Sequence, residues 1–240
     1  MLGRFFSLFA FGNEANVALM INIMSALSSS FTILFLFWSI SLLGKKLVIS
    51  RGEMTESKAY MVLGSALVGS LAYTFTDSFW FSAVEGEVYA MSSFFTALVF
   101  WAILKWEENA DKASSMRWLV LIAYLVGLSI GVHLLNLLAI PAIAFVYYYK
   151  KYNTSRKGII ITMVSSVLVL AGIMYILIPW IVKLSTLFEL LFVNSFGLPF
   201  NTGTIFYFLL LIGGIVWGIQ YSIKQFINFT KKIFCELENV

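Results

Sequence analysis

Seven apolar runs separated by short polar segments set the pattern of this chain, at about 17–43, 59–76, 88–104, 118–133, 137–149, 158–179 and 204–223. Long runs with so few charges predict membrane-crossing helices. Some are short for the task. At about 1.5 Å per residue, a helix over 118–133 covers roughly 24 Å, against a hydrocarbon core of about 30 Å. The 137–149 run is shorter still. Two short helices meeting at a tight turn leave the turn below the membrane surface. The face around His133 and Asn136 is therefore expected to be a recess open to water or substrate, since irregular backbone facing lipid is unsatisfied. Leu2–Phe11 (LGRFFSLFAF) is too short to span and reads as an interfacial helix. Over 180–203, Ile181, Val182, Leu184, Leu187, Phe188 and Leu191 recur at helical spacing among Lys183, Ser185 and Glu189. That spacing predicts an amphipathic helix on the outer surface, ahead of turns at Gly197-Leu198-Pro199 and Asn201-Thr202-Gly203. The fold expected is an all-α polytopic membrane protein with about seven transmembrane helices, several short, plus an extracytoplasmic interfacial helix. A membrane domain covers 1–230 and a polar cytoplasmic tail 231–240.

Charge gives the pattern a direction. Fourteen of the 16 basic residues fall in alternate loops, as Lys45, Lys46, Arg51 and Lys58, then Lys105, Lys112 and Arg117, then Lys150, Lys151, Arg156 and Lys157, and finally Lys224, Lys231 and Lys232. The other side receives only Arg4 and Lys183. The positive-inside rule places the richer side in the cytoplasm. The C-terminus then lies inside and the N-terminus outside, although no signal peptide is legible there. Composition agrees: 60% of residues are hydrophobic, 17% aromatic and 12% charged, about half the charge of a typical soluble domain. The net charge of +4 comes from loop clusters, so a nucleic-acid partner is not expected. A single cysteine, Cys235, excludes an internal disulfide and a cysteine metal site.

The orientation puts the chemistry-bearing residues together on the outer side. Thr76–Tyr89 (TDSFWFSAVEGEVY) carries Asp77, Glu85 and Glu87 with no base nearer than Lys58 and Lys105. Carboxylates at the end of a membrane span are costly and mark a functional site by default. Their structural alternative is ordinary helix capping. Asp77 would cap a short helix through Phe79–Val84, and Glu85 and Glu87 would complement a helix N-terminus. Glu85 and Tyr89, four apart, are expected on one helix face, with Glu87 pointing elsewhere. Trp80, Phe79 and Phe81 beside these acids suit a sugar, whose C–H faces stack and whose hydroxyls need acceptors, but are also ordinary interfacial anchors. His133, the only histidine, and Asn136 are candidates for substrate contact, against a plain packing role. Ligand type alone would allow a divalent cation on His133 with Glu85 or Asp77, but no spacing is diagnostic. Lys183 would meet a phosphate or simply snorkel. The Gly127–Gly131 pair and the small residues Ser25–Ser30 predict close helix packing.

Several stretches also resemble a known family. DSFWFSAVEGEVYAMSS at 77–93, GLSIGVHLLNLLAIPAI at 127–143 and FELLFVNSFGLPFN at 188–201 closely resemble a bacterial family of multispanning proteins formerly of unknown function and related to protein O-mannosyltransferases. LGRFFSLFAFGN at 2–13 and NIMSALSSSFTILFLF at 22–37 resemble its early region. The resemblance implies a glycosyltransferase fold using polyprenyl-phosphate sugar donors, in which an acid of the first outer loop is the catalytic base. In that family a helix and its acidic loop precede the LGRFFSLF segment, so this chain is expected to lack them. Asp77 and Glu85 match the second acidic segment, which by analogy helps bind donor phosphate, metal or acceptor.

These readings combine into one expectation. The protein is a glycosyltransferase, or a truncated copy of one, in the bacterial cytoplasmic membrane. It moves a sugar from a polyprenyl-phosphate donor to Ser or Thr hydroxyls of exported proteins, with inversion at the anomeric carbon. Asp77 and Glu85 are the catalytic candidates, and Glu87, Tyr89, Trp80, His133, Asn136 and Lys183 the substrate-binding ones. A transporter or flippase, or a non-catalytic membrane subunit, are the alternatives. No charge sits mid-span and no inverted repeat is visible, which weighs against transport.

Overall fold

The computed structural model describes residues 2–112 and 114–238, so the last two residues of the expected 231–240 tail lie outside the described residues. Its elements are helices α1 (Leu2–Ser7), α2 (Val17–Ile49), α3 (Glu56–Thr74), α4 (Asp77–Val84), α5 (Val88–Asn109), α6 (Ser115–Ile130), α7 (Ala139–Lys151), α8 (Arg156–Ala171), α9 (Ile178–Leu190) and α10 (Thr202–Glu238). A 3-10 turn, Leu134–Leu138, joins α6 to α7. The chain is an all-α polytopic membrane protein. Each of the seven apolar runs is largely helical. Among the described residues, four helical stretches are long and apolar enough to cross a membrane alone, and α3 with α4 adds a fifth as a pair bent by 68°. The 118–133 and 137–149 runs became the 16-residue α6 and the 13-residue α7.

The chain divides into two compact units, 1–170 and 171–240. In the first, α5 is the central helix. Its buried residues Phe95, Val99, Ala102, Ile103 and Trp106 repeat at helical spacing, forming one stripe packed on Ile122 and Leu125 of α6. On its other flank lies α2, which presents a stripe of small residues, Ser25, Ser28, Ser29 and Thr32, all buried. Small residues let two backbones approach where lipid offers no hydrophobic drive. Phe31 and Phe35 then close on Phe94 with ring centroids 6.2 and 6.0 Å apart. The expected packing role of Gly127 and Gly131 is not seen. A Cβ at Gly127 would meet nothing within 4 Å, and one at Gly131 only the Leu128 carbonyl. The reason is rotational, since α6 buries Ile122, Leu125 and Ser129 while Gly127 lies about 200° from Leu125.

The two ends of this unit differ chemically. At one end Lys46 pairs with Glu107, Lys105 with Glu108 at 2.8 Å, and Lys150 with Asp111 at 2.8 Å. These contacts gather the C-terminal ends of α2, α5 and α7. Exposed ion pairs add little stability, so packing along α5 carries the fold and the charges fix which ends meet. The Lys150 ammonium, followed by that of Lys151, holds the Asp111 carboxyl below the usual carboxylate range. At the opposite end Gly86 presses on α2, where an added Cβ would sit 2.8 Å from Ile21 Cγ2 and 3.1 Å from Asn22 Oδ1.

In the second unit no coil residue separates α9 from the π-helical segment before it. The helical run Arg156–Ser195 continues without a coil residue, through π-helical segments at Gly172–Leu177 and Leu191–Ser195. Pro179 falls at the start of α9, where a missing N–H is tolerated by the π-helical turn before it. α9 and α10 form a tight hairpin. The Glu189 carboxylate accepts from the backbone N–H groups of Asn201 and Thr204 and so satisfies the first turn of α10. Gly203 lies against the Phe188 carbonyl, where a Cβ would have no room.

Candidate functional site

At the end of the first unit away from its ion pairs, α3 stops and the chain bends into α4. Thr76 is extended (ψ 139°) and is the N-cap residue, with its hydroxyl donating back to the Tyr73 carbonyl. This corrects the expected capping role of Asp77, which is the first residue inside α4. The bend is clasped by rings, Tyr73 on Phe79 at 4.7 Å and Phe75 stacked on Trp80 at 6.1 Å. Phe79 is buried and Trp80 is exposed.

Glu85 ends α4 in an extended conformation (φ −94°, ψ 139°), and Glu87 is the extended N-cap residue of α5, giving no side-chain cap bond. The expectation that Glu85 and Tyr89 share a helix face therefore fails, because α5 begins three residues after Glu85. Gly86, wedged on α2, holds the link open. The eight residues of α4 separate Asp77 from Glu85 by roughly 12 Å, so the acids line a rim and do not form one cluster. Among the described residues, no three His, Cys, Asp or Glu side chains converge. All three carboxylates are exposed, and among the described residues none has a hydrogen-bond or ion-pair partner. Glu107, Glu108 and Asp111 at the other end are all paired.

Tyr89, in the first turn of α5, reaches His133, with ring centroids 5.7 Å apart. His133 is the N-cap of the 3-10 turn, its Nδ1 accepting the Leu135 N–H at 3.1 Å. A neutral imidazole fixed this way carries its proton on Nε2. Beneath it Asn136 is buried, its Oδ1 accepting from Ser92 Oγ at 2.7 Å and Thr96 Oγ1 at 3.0 Å. Its Nδ2 faces the Ser129 carbonyl at 3.4 Å. The amide thus ties the His133 turn to α5 and α6. Ser92 and Thr96, which sequence reading did not single out, are the residues that hold it.

Ser92 and Thr96 also line an apolar groove of about 690 Å³ between α2, α3, α5 and α7, together with Leu36, Tyr73, Phe100 and Leu138. It extends along α5 from Ser92 to Ile103, about 16 Å down the helix. In the second unit, Lys183 lies with its ammonium 5.1 Å from the Trp180 ring centroid, a cation–π contact.

The first unit therefore has the form of a membrane bundle with an apolar groove along α5 and, at the end away from its ion pairs, free carboxylates, aromatic rings and one imidazole. Residues 1–156 match the family model described as "Protein O-mannosyl-transferase TMEM260 N-terminal domain", and the chain belongs to that family. No curated protein and no solved structure matches the chain.

Proposed function

We propose that this protein is a glycosyltransferase of the bacterial cytoplasmic membrane that moves a sugar from a polyprenyl-phosphate donor to Ser or Thr hydroxyls of exported proteins. The observation that carries this reading is the set of free carboxylates at one end of the first unit, with an apolar groove whose lining residues Ser92 and Thr96 hold the His133 turn, in a chain of O-mannosyltransferase family. The positive-inside distribution of Lys and Arg supports placing the rim on the extracytoplasmic side, where exported acceptors pass.

In this proposal the groove takes the first units of the donor's polyprenyl chain, and the sugar lies at the rim. Trp80 and Tyr89 offer faces for the sugar C–H groups, and Glu87 an acceptor for its hydroxyls. Here the proposal departs from the role that the resemblance gives the second acidic segment: Glu85 itself accepts the proton of the attacking Ser or Thr hydroxyl. The new C1–O bond forms as the C1–O bond to phosphate breaks, the lipid phosphate leaves with the bonding pair, and the anomeric centre inverts. The His133 Nε2–H donates to an oxygen at the reacting centre, and Asn136 holds its turn in register. Asp77, a helix length away, binds the acceptor chain.

The test is mass spectrometry of exported proteins from cells with and without this gene. The proposal expects hexose additions on Ser or Thr peptides only where the protein is present. An identical set of modified peptides in both would reject it.

A further inference from the structure

At the ion-paired end of the first unit a second groove, of about 480 Å³, opens between α2, α3 and α5. Trp38, Leu42, Val62 and Trp101 line it, and Lys45 and Lys105 are the only charged residues in its lining. The indole centroids are 5.6 Å apart. Trp38 stays 38% exposed, so this wall faces the surroundings of the bundle. Lys105 lies one helical turn beyond Trp101, and Lys45 two turns beyond Trp38, so both ammoniums sit at the mouth of an apolar trough roughly 10 Å long. Glu108 stands between them, 2.8 Å from Lys105 and 3.9 Å from Lys45. Lys46 is occupied by Glu107 and does not line the groove. Two cations against one carboxylate leave one positive charge in excess at the mouth.

We propose that this groove holds a single anionic glycerophospholipid, its phosphodiester on Lys45 and Lys105 and the start of one acyl chain lying along the wall that the two tryptophans form. The charge balance is the argument: a phosphodiester bears one negative charge, matching the excess. Basic pockets between membrane helices bind anionic headgroups in this way, and indoles settle at the same interfacial depth. The site is separate from the acidic rim and does not rest on the glycosyltransferase reading.

The test is native mass spectrometry of the purified protein in detergent, titrated with phosphatidylglycerol or phosphatidylcholine. A juxtamembrane lysine is worth about fivefold in affinity for anionic lipid, so the one-charge excess predicts about a fivefold preference for phosphatidylglycerol. In Lys45→Gln/Lys105→Gln the preference falls to parity or below. In Glu108→Gln it rises about another fivefold, a gain that a misfolded variant would not produce. Lys150→Gln/Lys151→Gln, at the same end but off the groove, keeps the wild-type ratio. Equal retention of the two lipids by the wild type would overturn the proposal. So would an unchanged preference in the double lysine variant, or no gain in Glu108→Gln.

Discussion

Replacing Asn136 with Leu tests whether the amide is the joint that holds the His133 turn against α5. Leu is close in size, so the change removes hydrogen bonds without opening a large cavity. Thr96 keeps a partner, because its hydroxyl also donates to the Ser92 carbonyl at 3.0 Å. Ser92, half-buried on the groove wall, loses its acceptor. An unmade hydrogen bond at a half-buried group takes the low end of the range of about 1–3 kcal/mol, and a lost polar contact between membrane helices averages about 0.6 kcal/mol. Together these place Asn136→Leu near 2 kcal/mol destabilising. The diagnostic result is the cycle with Ser92→Ala. In the wild type Ser92→Ala costs about 0.6 kcal/mol, whereas in the Asn136→Leu background it removes the hydroxyl left without that acceptor and regains about 1 kcal/mol. Unfolding in mixed micelles, followed by tryptophan fluorescence, measures both steps. If Ser92→Ala costs the same in both backgrounds, the two side chains are not coupled and the joint is wrongly drawn.

Other predictions follow from single contacts. Gly203→Ala should destabilise the α9–α10 hairpin by about 1–3 kcal/mol, since the added methyl meets the Phe188 carbonyl and not a movable side chain; thermal unfolding of the variant checks this. Trp106→Ala, in the buried stripe of α5, should cost about 3–5 kcal/mol and reduce the folded yield in detergent. Asp111, held below its ordinary range by Lys150, contributes stability above its unfolded value and loses it as pH falls through the lower folded value. Asp111→Asn should therefore differ from wild type at neutral pH and converge with it in acid, which parallel melting curves at two pH values would show.

Much of this architecture could be read from apolar run length and loop charge. Each predicted run is largely helical, and within the first unit Lys45, Lys46, Lys105, Lys150 and Lys151 gather at one end because α2, α5 and α7 all finish there. What the pattern could not supply was register between distant segments. The Asn136 bonds join residues 40 and 44 positions apart, and nothing local in LLNLL announces them. Glu85 was misplaced for a related reason. It is extended next to Gly86, which sits against Ile21 and Asn22 of α2, a tertiary contact that the local sequence does not announce. The Gly127–Gly131 spacing suggested packing, but a spacing does not say which face of α6 is buried. Arg156–Ser195 stayed helical because a π-helical turn precedes Pro179 and absorbs it.

The central claim is that the free acidic rim performs glycosyl transfer, and the direct measurement is transfer in proteoliposomes carrying the full chain. Polyprenyl-phosphate mannose and a Ser/Thr-containing acceptor peptide are supplied, and glycosylated peptide is counted. The account predicts transfer by the wild type. Glu85→Gln should lose at least about 100-fold, in the range of general-base removal, while melting at the wild-type temperature. Undiminished transfer by a folded Glu85→Gln protein would contradict it.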